Sequence, residues 1–368
     1  MVKRVLIYRL GSLGDTVVAL PALHLVERAF PDAERRLLTN MPTHSNAPAA
    51  FSVLQGSGLV HGYMDYPWQT RSLRELARLW WKIVRFRPQV VVYLMGKRGR
   101  TSVRRDAAFF RFCGAGEVIG LPVGDLAENL YDESTDLWEH EGARLVRCLR
   151  SRLGEVDLRD PTNWDLHLTA EEEQRAQTAL APVQGRPLIA CGPGTKMQAK
   201  DWGRENWRAL LTRLTREMPE HGLVLVGAKE DAETAEYVAT EWESPVVNQC
   251  GKLTPRETAA VLRHVELFLG PDSGPMHLAA VYGVPCAIAF AAIDRRGRWF
   301  PMGDQHRPIY HHVDCEHCLL EVCVQMRKKC LTSITVEEMV TAALEAWGEG
   351  QAGKEIKASD GSSRTCTS

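Results

Sequence analysis

Apolar residues follow two rhythms along this chain. Short runs rich in β-branched and aliphatic residues alternate with longer stretches in which apolar positions return at helical spacing. The first rhythm marks buried strands and the second amphipathic helices. In the second half the order is strand at Leu188–Cys191, helix at Glu205–Met218, strand at Leu223–Val226, helix at Asp231–Glu241 and strand at Val246–Asn248. It continues with a helix at Pro255–His264, a strand at Leu267–Leu269, a helix at Met276–Tyr282 and a strand at Cys286–Phe290. The first half starts alike, with a strand at Val5–Tyr8, a helix over Thr16–Phe30 and a further strand at Val90–Leu94. Strands alternating with helices predict parallel sheets covered on both faces.

The polar stretch 157–169, which carries Pro161, reads as a linker. The expected organisation is an N-terminal domain over 1–165, a second over 170–335, a helix over 336–347 and a disordered tail over 348–368. Two doubly wound, Rossmann-like α/β domains then face a cleft at the carboxyl ends of their sheets, where ligands bind in such folds.

Composition narrows the class. With 368 residues, 45% hydrophobic and 25% charged, the chain is ordinary globular material. No stretch has the apolar length of a membrane span, and Met1–Leu10 runs into a strand instead of a signal peptide. The near-neutral total of 45 Lys and Arg against 46 Asp and Glu hides one local excess. Between Arg71 and Arg111 twelve basic residues face only Glu75 and Asp106, a balance of +10. Such a stretch favours an anionic partner or a membrane surface, although charge runs often face water alone. Within it Leu76, Trp80, Ile83 and Val84, with Trp81 beside them, predict an amphipathic helix.

Three segments carry candidate chemistry. Gly11-Ser12-Leu13-Gly14-Asp15 follows the first strand and opens the first helix, so its backbone can approach a ligand and Asp15 stands at the helix terminus. It lacks the third glycine of a dinucleotide fingerprint and the lysine of a P-loop. Asp15 suits either a helix cap or a general base. Gly192-Pro193-Gly194-Thr195-Lys196, followed by Lys200-Asp201-Trp202, brings cations to a strand end, for a phosphate or for solvent. Asp272-Ser273-Gly274-Pro275-Met276-His277 offers amides, an acid and a hydroxyl at another helix start, suited to a diphosphate or a polyol, or to plain capping.

Taken in order, Arg9–Thr16, Ala199–Trp202 and Asp272–Ala279 resemble the signature segments of the heptosyltransferases, glycosyltransferase family 9. The resemblance extends from residue 4 to about 345 and includes Leu20–Leu23 and Trp299-Phe300-Pro301. It implies a GT-B fold and inverting, metal-independent transfer of a sugar, usually heptose, from an ADP-linked donor. It also implies an anionic lipopolysaccharide-core acceptor, a cytoplasmic place with contact at the inner membrane face, and no nucleic acid partner.

Carried across, the resemblance makes Asp15 the base and Lys200 the counter-charge of the donor phosphate. Thr195, Lys196, Asp272, Ser273, Gly274 and His277 then line the donor, while Gly11, Ser12, Gly14, Lys97, Arg98 and Arg100 meet the acceptor. The sequence departs from the family at Ala291-Ala292-Ile293, where Gly-Pro-Thr is common, which opens donor identity. Gly203 replaces the usual Pro, an exchange expected to be neutral at a helix start.

Cys315, Cys318, Cys323 and Cys330 fall close together and offer a tetrahedral site for structural zinc or iron. Free thiols or disulfides are the alternatives. Cysteines in this part of the chain hold iron in protein-glycosylating members of the resembled family. Besides heptose transfer to an anionic glycolipid, two readings stay open. One is another donor, or a protein or secondary-metabolite acceptor; the other is a non-catalytic nucleotide-binding module.

Overall fold

The computed structural model describes residues 1–40, 50–67 and 72–362, with 352–362 as backbone only. Arg71 of the basic stretch lies outside the described residues. The chain divides into two compact units, Met1–Thr169 with Gly297–Trp299, and Ala170–Arg296 with Phe300–Ser368.

In chain order the first unit comprises β1 (Arg4–Tyr8), α1 (Leu13–Val17), α2 (Leu20–Ala29), β2 (Glu34–Thr39), α3 (Ala50–Leu54) and β3 (Gly62–Asp65). Then follow α4 (Leu73–Phe86), β4 (Val90–Tyr93), α5 (Arg100–Phe112), β5 (Glu117–Ile119), the hairpin β6 (Tyr131–Asp132) and β7 (Leu137–Trp138), and α6 (Glu141–Leu153). Val5 to Tyr8 are all buried, as a central strand with helices on both faces requires. The sheet order is β3-β2-β1-β4-β5, all parallel, with Leu6 registered against Arg36 on one side and Val91 on the other. Leu6 and Tyr8 pack with Leu79, Ile83 and Phe86 of α4 and Phe110 of α5.

The helix expected over Thr16–Phe30 is two helices. α1 stops at Val17, and α2 carries Pro21 in its first turn, where a missing N–H costs no helical bond.

The second unit holds α7 (Ala170–Leu180), β8 (Leu188–Cys191), α8 (Arg204–Glu217), β9 (Gly222–Leu225), α9 (Ala232–Val238), β10 (Val246–Asn248) and α10 (Pro255–Leu262). β11 (Leu267–Pro271), α11 (Gly274–Ala280), β12 (Cys286–Phe290), β13 (Arg307–Tyr310), α12 (Lys329–Thr332) and α13 (Val336–Ser362) complete it. Its sheet is again parallel, in the order β10-β9-β8-β11-β12-β13. Here the structure departs from the expected tail: α13 continues past Trp347 to Ser362. The extension is held partly by Gln351, whose amide donates to Glu266 at 2.7 Å. Residues 363–368 lie outside the described residues.

Both sheets reverse their winding beside the first strand, between β1 and β4 and between β8 and β11. At such a reversal the loops after the two strands turn opposite ways and leave a crevice. The loops at the first reversal carry Gly11–Asp15 and Lys97–Arg100; those at the second carry Gly192–Lys200 and Asp272–His277.

Candidate active site

The loop after β1 is built around the Asp15 carboxylate. Ser12 donates to Asp15 Oδ2 twice, from its backbone N–H at 2.8 Å and from its hydroxyl at 2.9 Å. Gly11 is required by the same contact, because a Cβ there would lie 2.4 Å from Asp15 Cβ. Arg9 Nη2 donates to the Asp15 backbone carbonyl at 2.6 Å and reaches Oδ1 only at 3.4 Å. Oδ2 is therefore saturated and Oδ1 keeps lone-pair capacity, with the side chain about one-third exposed at 32%. Capping, one of the two roles open from sequence, occupies Oδ2 and leaves Oδ1 available.

Beneath this loop lies a charged cluster that sequence patterning does not reveal. Glu141 and Arg144 have fully buried side chains, 0% exposed, and pair at 2.6 Å. Arg298 adds a second guanidinium at 3.2 Å, and Asn129 donates to the same carboxylate at 3.3 Å. Burial alone would raise the Glu141 carboxyl, but the hydrogen bonds and charge of Arg144, with the charges of Arg298 and Arg9, overcome it and hold it down at about 2. Burial also pulls the Arg9 guanidinium down, opposed by Asp15 and Glu141. The cluster thus supports the arginine that grips the Asp15 backbone.

The basic residues expected to meet the acceptor do different things. Arg98 is committed to Asp106 at 2.7 Å, a carboxylate that also accepts from the Tyr93 hydroxyl at 2.9 Å. Lys97 pairs with Glu128 at 2.6 Å, and Arg100 is exposed at the start of α5.

In the second unit the ends of β8 and β11 bring together the two residues that the motifs placed far apart. Lys200 Nζ lies 2.5 Å from Asp272 Oδ2, with Asp272 only 6% exposed, and His277 Nε2 stands 3.7 Å from Asp272 Oδ1. Ser273 occupies the N-cap position of α11 without making a capping bond, and its buried hydroxyl has no hydrogen-bond partner among the described residues. Gly274 opens the first turn and presents its amide beside that hydroxyl, while Pro275 after it has none to give. Thr195 Oγ1 accepts from the Met197 N–H at 3.3 Å, and Lys196 is held by Glu230 at 2.9 Å. A cation on a buried carboxylate beside free amides can receive a phosphate.

Comparison with known proteins identifies the family. The profile of glycosyltransferase family 9 (heptosyltransferase) matches residues 135–329. The chain belongs to glycosyltransferase family 9. The enzyme is 22% identical over 341 residues to lipooligosaccharide heptosyltransferase 2 of Campylobacter jejuni, covering 90% of this chain and 94% of that one. Among solved structures it resembles the family 9 glycosyl transferase of Veillonella parvula, with a TM-score of 0.72 at 17% identity over 94% of this chain and 98% of that one. It also resembles the Escherichia coli heptosyltransferase WaaC with ADP-2-deoxy-2-fluoro heptose, with a TM-score of 0.62 at 17% identity over 92% and 98% of the two chains. The fold is of the GT-B type, and the protein is a glycosyltransferase.

The arrangement of the cysteine segment gives no support to the metal centre suggested by its spacing. Among the described residues no group of three or more His, Cys, Asp or Glu side chains is arranged to hold a metal ion. The four thiols are free and sit at different depths, Cys318 exposed and Cys330 buried. Burial raises the Cys330 thiol, and the other three thiols raise it further. The backbone around Cys318 is already committed outward, His317 donating to Ala292 at 2.8 Å and Leu319 to Ile293 at 2.9 Å.

What the segment does is brace the Lys200 loop. Ala199 donates to the Glu321 carbonyl at 3.0 Å, and the Cys323 N–H donates to Gln198 at 2.8 Å. Lys328 Nζ donates to the Asp201 carbonyl at 2.6 Å. Gly203 also differs from expectation. Its φ of +100° is out of reach of proline, so its exchange for Pro sets a different backbone at the start of α8. No sequence signal points to Lys328 or to the Arg298 contact of Glu141, because these partners lie 127 and 157 residues away.

Proposed function

We propose that the enzyme is an inverting heptosyltransferase that moves heptose from an ADP-linked donor to a hydroxyl of an anionic glycan. The acceptor is a lipid-anchored glycan of the lipopolysaccharide inner-core kind, met at the inner face of the cytoplasmic membrane. The observation that carries the reading is the placement of Asp15 at one sheet reversal and of the Lys200–Asp272 pair at the other. Support also comes from the curated relative that is a lipooligosaccharide heptosyltransferase.

In this reading the acceptor oxygen bonds to the anomeric carbon as the bond to the diphosphate breaks, and its proton passes to Asp15 Oδ1. A single displacement inverts the anomeric centre. The electron pair leaves with the nucleoside diphosphate, whose charge Lys200 and the amides of Ser273 and Gly274 receive. Lys200 exchanges Asp272 for phosphate, and Asp272 and His277 take the sugar hydroxyls. Thr195 and Lys196 complete the donor side. Gly11, Ser12 and Gly14 shape the acceptor side, with Lys97 and Arg100 toward its anionic groups and Arg98 positioning through Asp106. No step uses a metal.

A second reading, another nucleotide sugar, is favoured by one observation. Ala291, Ala292 and Ile293 are buried and offer no hydroxyl, and two of their carbonyls are taken by the cysteine segment. Both readings are tested by incubating the enzyme and acceptor with ADP-, UDP-, GDP- and CMP-linked sugars and determining product mass and anomeric configuration. An inverted heptoside from the ADP donor alone is the expected result. A retained configuration overturns the mechanism, and transfer from another donor overturns the sugar assignment.

A further inference from the structure

α4 has a second apolar side. Leu79, Ile83 and Phe86 face the core, yet Leu73, Leu76, Ala77, Trp80, Trp81 and Val84 fall on the adjoining side at 3.6 residues per turn. Trp80 and Val84 on that side lean on the core, but its outer residues are exposed, Leu73 at 81%, Trp81 at 58% and Leu76 at 38%. The end of α5 extends it, since Phe112, 75% exposed, stacks on Trp80 with ring centroids 6.0 Å apart, and Trp80 lies 6.3 Å from Trp81. Contiguous exposed aromatic and leucine side chains of this kind mark an interaction site.

Charge identifies the occupant. Arg74, Arg78, Lys82 and Arg85 follow the apolar strip around the helix and Arg111 borders Phe112, all exposed and none in an ion pair among the described residues. At the foot of α4 a 380 Å³ cavity brings Arg4, Lys82 and Arg85 together with the Arg36–Glu34 ion pair, so its lining is net cationic. A second copy of this chain would bring cations against cations, and a nucleic acid gives no use for exposed leucines. An anionic bilayer satisfies both halves, taking Trp and Leu at the headgroup boundary and the arginines at its phosphates.

We infer that the outer side of α4, with the end of α5, is the surface through which the enzyme docks on an anionic phospholipid bilayer. α4 and α5 each run back from the carboxyl edge of their sheet, the edge that carries Asp15. Docking along them therefore sets that edge beside the membrane, where a lipid-anchored glycan lies. The inference rests on the lipid-anchored acceptor proposed above.

The test is co-sedimentation of the full chain with phosphatidylcholine vesicles, with and without phosphatidylglycerol. The comparison is with W81S/F112S and with R78E/K82E. Wild type is expected to bind only the anionic vesicles, less in high salt, and each variant to bind roughly tenfold or more weakly. The melting temperature, nucleotide binding and transfer to a delipidated acceptor stay unchanged in the variants. Wild-type binding that ignores phosphatidylglycerol, variants that sediment like wild type, or lipid-free dimers abolished by either variant overturn the inference. So does displacement from vesicles by duplex DNA. If vesicle binding behaves as expected but no glycan is ever glycosylated, the functional proposal fails and the docking surface stands.

Discussion

Lys200 and Asp272 belong to loops 72 residues apart in sequence, yet their side chains meet at 2.5 Å where the second sheet reverses. The pair is mostly buried, with Lys200 18% and Asp272 6% exposed. Removing only one charge strands the other. Lys200→Met is therefore expected to lower unfolding stability by about 3 kcal/mol and to abolish nucleotide binding. The double variant Lys200→Met/Asp272→Asn recovers stability in urea titrations but not binding. Equal stability of all three proteins would show that the pair carries no structural load.

Asp15→Asn keeps an oxygen for the Ser12 donors, so folding and donor affinity should survive. Turnover should fall by about a thousandfold, because the amide cannot take a proton. Steady-state rates and nucleotide titration separate the two effects, and wild-type turnover in the variant would remove Asp15 from the base role.

Gly11→Ala places a methyl 2.4 Å from Asp15 Cβ. The loop must open to admit it, so kcat is expected to fall at least tenfold while the second unit still binds nucleotide normally. A thermal-shift assay with ADP alongside kinetics checks this.

Glu141 makes stability depend on pH in a defined window. Its carboxyl is held near about 2 in the folded enzyme against an ordinary 4.5. A lowered carboxyl contributes stability that is fully present above the unfolded value and is lost as pH falls through the folded one, here between about 5 and 2. Glu141→Gln should be destabilised by roughly 3 kcal/mol near neutral pH, leaving buried guanidiniums without their anion. Its stability deficit relative to wild type should shrink steadily below pH 5 in urea denaturation.

β8, β9, β11 and β12 of the second half, and β1 and β4 of the first, were readable because each is a short aliphatic run buried on both faces, whereas the half-exposed β13, Arg-Pro-Ile-Tyr, was not. β2 escaped because Glu34-Arg35-Arg36 looks like solvent-facing sequence. Arg35 is in fact buried and donates to the Leu59 carbonyl at 2.9 Å and to that of Gly58 at 2.8 Å. The site divides the same way. Motifs contiguous in sequence around Asp15, Lys200 and Asp272 were legible, since one loop holds each. The Glu141–Arg144 pair is local, but its link to Arg298 and the Lys328 brace exist only through long-range contacts, which neither periodicity nor spacing records.

Residues Gly297–Trp299 interrupt the second unit in sequence but belong to the first, where Glu141 takes the Arg298 carbonyl through its backbone N–H at 2.9 Å as well as the guanidinium. Recombination between relatives therefore has two breakpoints to respect instead of one. A chimera joined at Thr169 alone would inherit its Glu141 from one parent and its Arg298 from the other. Hybrids that graft this tripeptide back from the first parent should fold where simple fusions fail, a constraint on how donor preference could have been traded within the family.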